Sequence, residues 1–255
     1  MKIEFHYTYI IIALGFILTG YFPNLIIFTS LILIHECGHC LTAIYHKIKI
    51  EKIIIYPYGG LVKMNNPINT DINIELSIAI AGILFQTLYY FIILFLFYQG
   101  IIREYIFNLF TTYHTNILIF NLLPIYPLDG SKIVNLLLSK ILPYNTANKL
   151  NIIISIITLL FIIIINYSYF NYTTILIIAI IINNLVEYHH QLKYLFNKFL
   201  LERYLYHITY KKTKKINKLT DMYKEKTHFL KENNIYITEK QALSRKFKGK
   251  ISKNI

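Results

Sequence analysis

The chain has 255 residues, 55% of them hydrophobic and 15% charged, and 26 Lys and Arg against 13 Asp and Glu give it a formal net charge of +13. The charge belongs to one end: residues 1–190 carry nine basic and eight acidic groups, and 191–255 carry seventeen and five. This argues against nucleic acid, whose partners spread Lys, Arg and stacking aromatics over a folded surface, and two cysteines exclude a disulfide framework.

In chain order, no Asp, Glu, Lys or Arg occurs from Phe5 to Ile34, and a membrane span needs only about 20 apolar residues. Pro23-Asn24 divides this run into two helices, the first of which inserts the chain without a small-residue cleavage site for a signal peptidase. The second reaches His35-Glu36-Cys37-Gly38-His39. Histidines four apart lie one helical turn apart on one face, so both imidazoles can share a metal ion, and Glu36 beside them can take a proton from water. Nine His and ten Glu in this chain would match His-Glu-x-x-His by accident only about 0.012 times. The buried alternative, two histidines and a glutamate in hydrocarbon with no function, is costly.

Residues 48–64 alternate with period two before Pro57 and Gly59-Gly60, which predicts a β-hairpin able to capture an extended substrate by strand addition. Further apolar stretches cover about 74–98, 106–125, 150–167 and 173–190, making six spans in all, the 106–125 stretch being the most polar. With the N-terminus in the cytoplasm, 25 of the 26 basic residues fall on the cytoplasmic side and only Arg103 outside. The expected fold is therefore an all-α polytopic membrane protein: a six-helix core over 1–190 with a short cytoplasmic β-hairpin, and a basic cytoplasmic tail over 191–255. The tail's Lys211, Lys212, Lys214 and Lys215 suit anionic lipid. The sequons Asn166-Tyr-Ser and Asn171-Tyr-Thr are read as accidents of an Asn-rich chain.

A hydrolytic zinc takes three protein ligands and keeps one position open. Asp129 is the candidate for the third, in Asn121-Leu-Leu-Pro-Ile-Tyr-Pro-Leu-Asp129-Gly130, where Pro124 and Pro127 break a helix at the cytoplasmic level of His35 and His39. Asn121 is a candidate for binding an oxyanion or orienting substrate backbone, or for capping a helix. Cys37-Gly38-His39-Cys40 spells a redox-type CxxC, but an apolar spanning helix lacks the accessible N-terminus that such chemistry needs, so both cysteines are read as packing residues. The other seven histidines, His114 and His228 among them, are read as interface or solvated residues.

His-Glu-x-x-His in the second span together with N-x-x-P-x-x-P-L-D-G in a later one resembles the site-2 protease family of intramembrane zinc metalloproteases, and its sporulation branch most of all. The resemblance covers residues 1–190. It implies zinc held by His35, His39 and Asp129, Glu36 as catalytic base, a membrane-associated substrate such as an inactive pro-sigma factor, and membrane-bound inhibitors, in the membrane around a forespore. The chain departs from the family at Ala81-Gly82-Ile83-Leu84-Phe85-Gln86, where Ile83 replaces a proline and Gln86 an asparagine. Gln86 keeps the amide, which can meet substrate backbone or a neighbouring helix. Residues 200–255 do not resemble the complete nucleotide-sensing module that some relatives append. An intramembrane metal transporter is the rival reading, disfavoured by the lack of symmetric ligands and of a His-rich loop; a non-catalytic membrane scaffold would show no zinc-dependent turnover.

Overall fold

The computed structural model describes residues 2–56, 59–165, 171–232 and 235–251, and they form two compact units: 1–66 with 76–122, and 67–75 with 123–255. The first holds β1 (Lys2–Phe5), α1 (Tyr7–Leu18), α2 (Phe22–Tyr45), β2 (Lys49–Tyr56), β3 (Gly59–Asn65), most of α3 (Ile72–Tyr98) and α4 (Glu104–Leu122). His6 Nδ1 accepts the Thr8 amide at 3.4 Å and so caps α1. The chain leaves α1 through Gly20 at φ +78°, a left-handed conformation that suits glycine. Pro23 sits in the first turn of α2, where a missing N–H removes no helical bond.

The expected hairpin is present and larger than expected. β2 pairs antiparallel with β3 and parallel with β1, in the order β1-β2-β3. Its turn at Pro57 and Tyr58 lies outside the described residues, as does the Asn166 sequon. Ile53, Ile54 and Ile55 are buried, and Ile55 packs with Tyr9 of α1 and Ile32 of α2. α2 meets α3 so closely at Gly38 that a Cβ there would lie 2.6 Å from the Ala81 carbonyl oxygen. α2 and α4 share a core of Ile27, Leu31 and Phe110.

The second unit holds α5 (Asp129–Ile141), α6 (Tyr144–Ile165), α7 (Tyr172–Tyr206), β4 (Thr213–Ile216), a 3-10 turn at Leu219–Asp221, β5 (Thr227–Glu232), β6 (Ile235–Thr238) and α8 (Glu239–Ile251). The proline-interrupted segment 123–128 is tied to α6: Ser155 Oγ donates to the Pro124 carbonyl at 3.2 Å and accepts the Tyr126 amide at 3.1 Å. Tyr126 stacks on Tyr188 of α7 at 4.1 Å. These contacts replace the helical bonds that the prolines remove, and they fix the start of α5, where Asp129 stands.

Among the described residues four helices, α2, α3, α6 and α7, are long and apolar enough to cross a membrane. α1, with 12 residues, is about 18 Å long against a hydrocarbon core of about 30 Å, and α4 carries Asn108, Thr111, Thr112, His114, Thr115 and Asn116. The basic tail, moreover, is folded: α7 runs on to Tyr206, and a sheet in the order β4-β5-β6 with α8 buries Phe199, Leu200, Met222, Leu230 and Leu243 around Tyr144.

Candidate metal centre

His35 and His39 lie one turn apart in the buried half of α2, at 3% and 5% exposure. His39 Nδ1 is 2.7 Å from the Ile78 carbonyl oxygen, which can only accept, so Nδ1 carries the proton and Nε2 presents a lone pair. His35 Nδ1 is 3.1 Å from Gln86 Oε1, and the two Nε2 atoms face each other at 3.1 Å. Ligand atoms about 2.0–2.1 Å from a tetrahedral zinc lie about 3.3 Å from one another, so the pair is already close to the separation of two corners of such a site. At Gly82 a Cβ would overlap His39 Nε2 and come within 2.8 Å of His35 Nε2; a glycine therefore keeps open the space on which both lone pairs converge. Two imidazole acceptors held this way, with both outer nitrogens engaged, fit a zinc ion.

Glu36 is also buried, at 7% exposure, and β3 passes directly over it. A Cβ at Gly60 would overlap the Glu36 side chain and lie 2.6 Å from its Oε1. Gly60 pairs with Ile55, and β3 has β2 as its one sheet neighbour among the described residues. The carboxylate thus lies under the backbone of an edge strand.

Asp129 occupies the first turn of α5 at 4% exposure, and its Oδ1 accepts from Lys132 Nζ at 2.8 Å. Among the described residues the candidate metal-ligand group is His35 and His39 of the first unit and Asp129 of the second, each buried and each offering one atom able to ligate a metal ion. Asn121 stands half-buried near the end of α4. Gln86 is fully buried, and its amide joins His35 to His114, whose carbonyl oxygen it reaches at 3.1 Å; of the two roles expected for it, substrate backbone or a neighbouring helix, this contact is of the second kind. Cys37 and Cys40 are free thiols, and neither belongs to the metal-ligand group.

Sequence reasoning missed Gly60, Gly82, the Ile78 carbonyl and His114. Only Gly60 carried a local signal, as half of a Gly-Gly pair in a strand; the others act through distant contacts that periodicity does not encode.

A buried His pair with oriented tautomers, a neighbouring glutamate and a buried aspartate on a proline-broken segment are the parts of a membrane zinc peptidase. The chain matches the model of peptidase family M50 over residues 23–102 and 99–165 and belongs to that family. It is 35% identical to stage IV sporulation protein FB of Bacillus subtilis over 227 residues, covering 86% of this chain and 75% of that protein. It is 33% identical over 162 residues to the zinc metalloprotease MJ0392 of Methanocaldococcus jannaschii, covering 59% of this chain and 46% of that protein. The solved site-2 protease from Methanocaldococcus jannaschii superimposes with a TM-score of 0.54 at 26% identity, covering 72% of this chain and 89% of that one. The chain is therefore an integral membrane zinc metalloprotease of the site-2 protease type.

Proposed function

We propose that the chain cleaves a membrane-associated protein near the cytoplasmic face, and that its substrate is a sporulation pro-sigma factor released by removal of a pro-sequence. The observation that carries the hydrolytic part of this reading is the convergence of His35 Nε2 and His39 Nε2 at 3.1 Å beside Glu36, and the sporulation substrate is supported by the likeness to stage IV sporulation protein FB. His35, His39 and Asp129 hold the zinc. When bound, zinc supplies Lewis acidity, making water a stronger acid and the scissile carbonyl a better electrophile. Glu36 removes the water proton and returns it to the leaving amine. Its burial under β3 keeps bulk water from the carboxylate.

A helix hides its amides, so the substrate must be extended where it is cut. The edge of β3 beside Glu36 supports capture by strand addition, with Gly60 allowing the closest approach of backbone to base. Asn121 orients substrate backbone or binds the oxyanion. The distribution of basic residues supports six crossings with both termini in the cytoplasm, in the membrane around a forespore, with membrane-bound inhibitors as regulators and anionic lipid against the Lys-rich C-terminal element.

The test is co-expression with a tagged pro-sigma factor, wild type against Glu36→Gln. Shortened product should appear only with Glu36 intact, falling by about 10²–10⁴-fold in the variant, the range for loss of a general base. Equal product from both would remove Glu36 as the base; bound zinc without product from either would remove the pro-sigma factor as the substrate.

A further inference from the structure

A neutral imidazole serves a metal only if its proton sits on the other nitrogen, and nothing in the imidazole itself makes that choice. For His39 the Ile78 carbonyl makes it. For His35 the partner is a side-chain amide, which could in principle turn either end toward the ring: its oxygen would demand a proton on Nδ1, and its nitrogen would demand a lone pair there, moving the proton to Nε2 and closing that nitrogen to a metal.

We propose that Gln86 is the positioning residue that keeps His35 competent for zinc, and that the backbone of α4 at His114 fixes which way its amide points. Gln86 Nε2 lies 3.1 Å from the His114 carbonyl oxygen and 3.4 Å from His114 Nδ1. A carbonyl only accepts, so the amide nitrogen must face α4, and Oε1 must then face His35 Nδ1 at 3.1 Å. The proton of His35 is thereby held on Nδ1. Gln86 is 0% exposed and His114 6% exposed, so no water competes for either end of the relay. Tyr90 stacks on the His114 ring at 4.6 Å and holds it against the amide. The relay runs α2–α3–α4 and gives a glutamine, rather than a shorter amide, its reason: the side chain must reach from His35 to the backbone of the next helix.

The inference rests on His35 being a zinc ligand, and its test reads the metal rather than cleavage. The full-length chain in detergent is titrated with zinc against a chromogenic chelator, and the cobalt-substituted protein is examined for its d–d bands. Gln86→Met, of equal length but without polar atoms, should bind zinc about 10–100-fold more weakly, as loss of an outer hydrogen-bond partner of a ligating histidine does, and should shift the cobalt bands. Gln86→Glu keeps an acceptor on His35 but sets its second oxygen against the His114 carbonyl, and it should bind zinc more tightly than Gln86→Met though more weakly than wild type, a partial rescue that a packing defect would not give. Wild-type zinc affinity and an unshifted cobalt spectrum in Gln86→Met, or equal losses in both variants, would overturn the positioning role. His35→Ala separates the two readings: it should lose zinc outright, and retention there would overturn the ligand assignment beneath the proposal.

Discussion

Two buried polar clusters in this chain have opposite designs. In the C-terminal element the Arg203 guanidinium, on the last turn of α7, has all five N–H groups matched: Nε to Asn69 Oδ1 at 2.9 Å, Nη1 to Lys226 O and Glu239 Oε1 at 2.9 Å, and Nη2 to Tyr223 O and Lys224 O at 2.8 and 2.6 Å. Glu239 Oε2 meets His228 Nδ1 at 3.1 Å, and His228 Nε2 accepts the Tyr223 amide at 3.0 Å. Every donor closes on an acceptor, so this cluster specifies one packing. Around His35 and His39 the protons are instead drawn outward, to Gln86 and Ile78, so that two lone pairs converge on one point. The role of a buried polar residue is thus read from where its protons are sent. Saturation marks structure, and convergence of acceptors marks a cation site.

The largest effect that would break this contrast is at Arg203. Truncating one partner of a buried, hydrogen-bonded ion pair costs about 3–5 kcal/mol, so Arg203→Ala should open β4, β5, β6 and α8 as a unit. Hydrogen exchange over 213–251 of the full-length protein should accelerate to that of an unfolded segment, while zinc binding is retained. Zinc loss in step with the exchange would show that the saturated cluster also serves the metal.

The legibility of the two clusters in the sequence differs for the same reason. His35, Glu36 and His39 lie within five residues on one helix, so their shared face follows from helical period alone, and Asp129 is flagged by the prolines before it. The hairpin was visible in the alternation of β2, but the parallel pairing of β1 joins Lys2 to Lys52 across 50 positions, which no local pattern carries. The folded C-terminal element was hidden because its strands are four to six residues long and Lys-rich, with Ile216 and Leu230 as isolated inward positions; they bury their faces only when α8 and α7 close over them. Arg203, Glu239 and His228 read as ordinary surface charge until Asn69, more than a hundred residues earlier, completes the set.

A smaller effect sharpens the catalytic side. Gly60→Ala puts a methyl group where the Glu36 side chain lies, and the flexible carboxylate, rather than the strand, should yield. Displacement of a catalytic group by about 1 Å costs up to about 10²-fold, so cleavage of the co-expressed substrate should fall about 10–100-fold with zinc content unchanged. Unaltered cleavage would separate β3 from the base.

The smallest effect is a pH dependence confined to the saturated cluster. Burial holds His228 below its ordinary 6.5, against the pull of Glu239, and Arg203 and Lys226 act in the same direction as burial. Burial alone would raise Glu239, but His228 and Arg203 bring it below its ordinary 4.5. Both groups, depressed in the folded state, take up protons more readily when unfolded. The contribution of His228 is therefore fully present above pH 6.5 and is lost as pH falls toward its folded value, while that of Glu239 is lost only below pH 4.5. Between pH 7.5 and 5.5 only His228 titrates in this set. Exchange rates across β5, corrected for intrinsic chemistry, should rise modestly over that interval, by less than in Arg203→Ala. In His228→Gln, whose amide can still accept from the Tyr223 amide and donate to Glu239, the rise should vanish. A rise of equal size in that variant would place the titrating group outside the cluster.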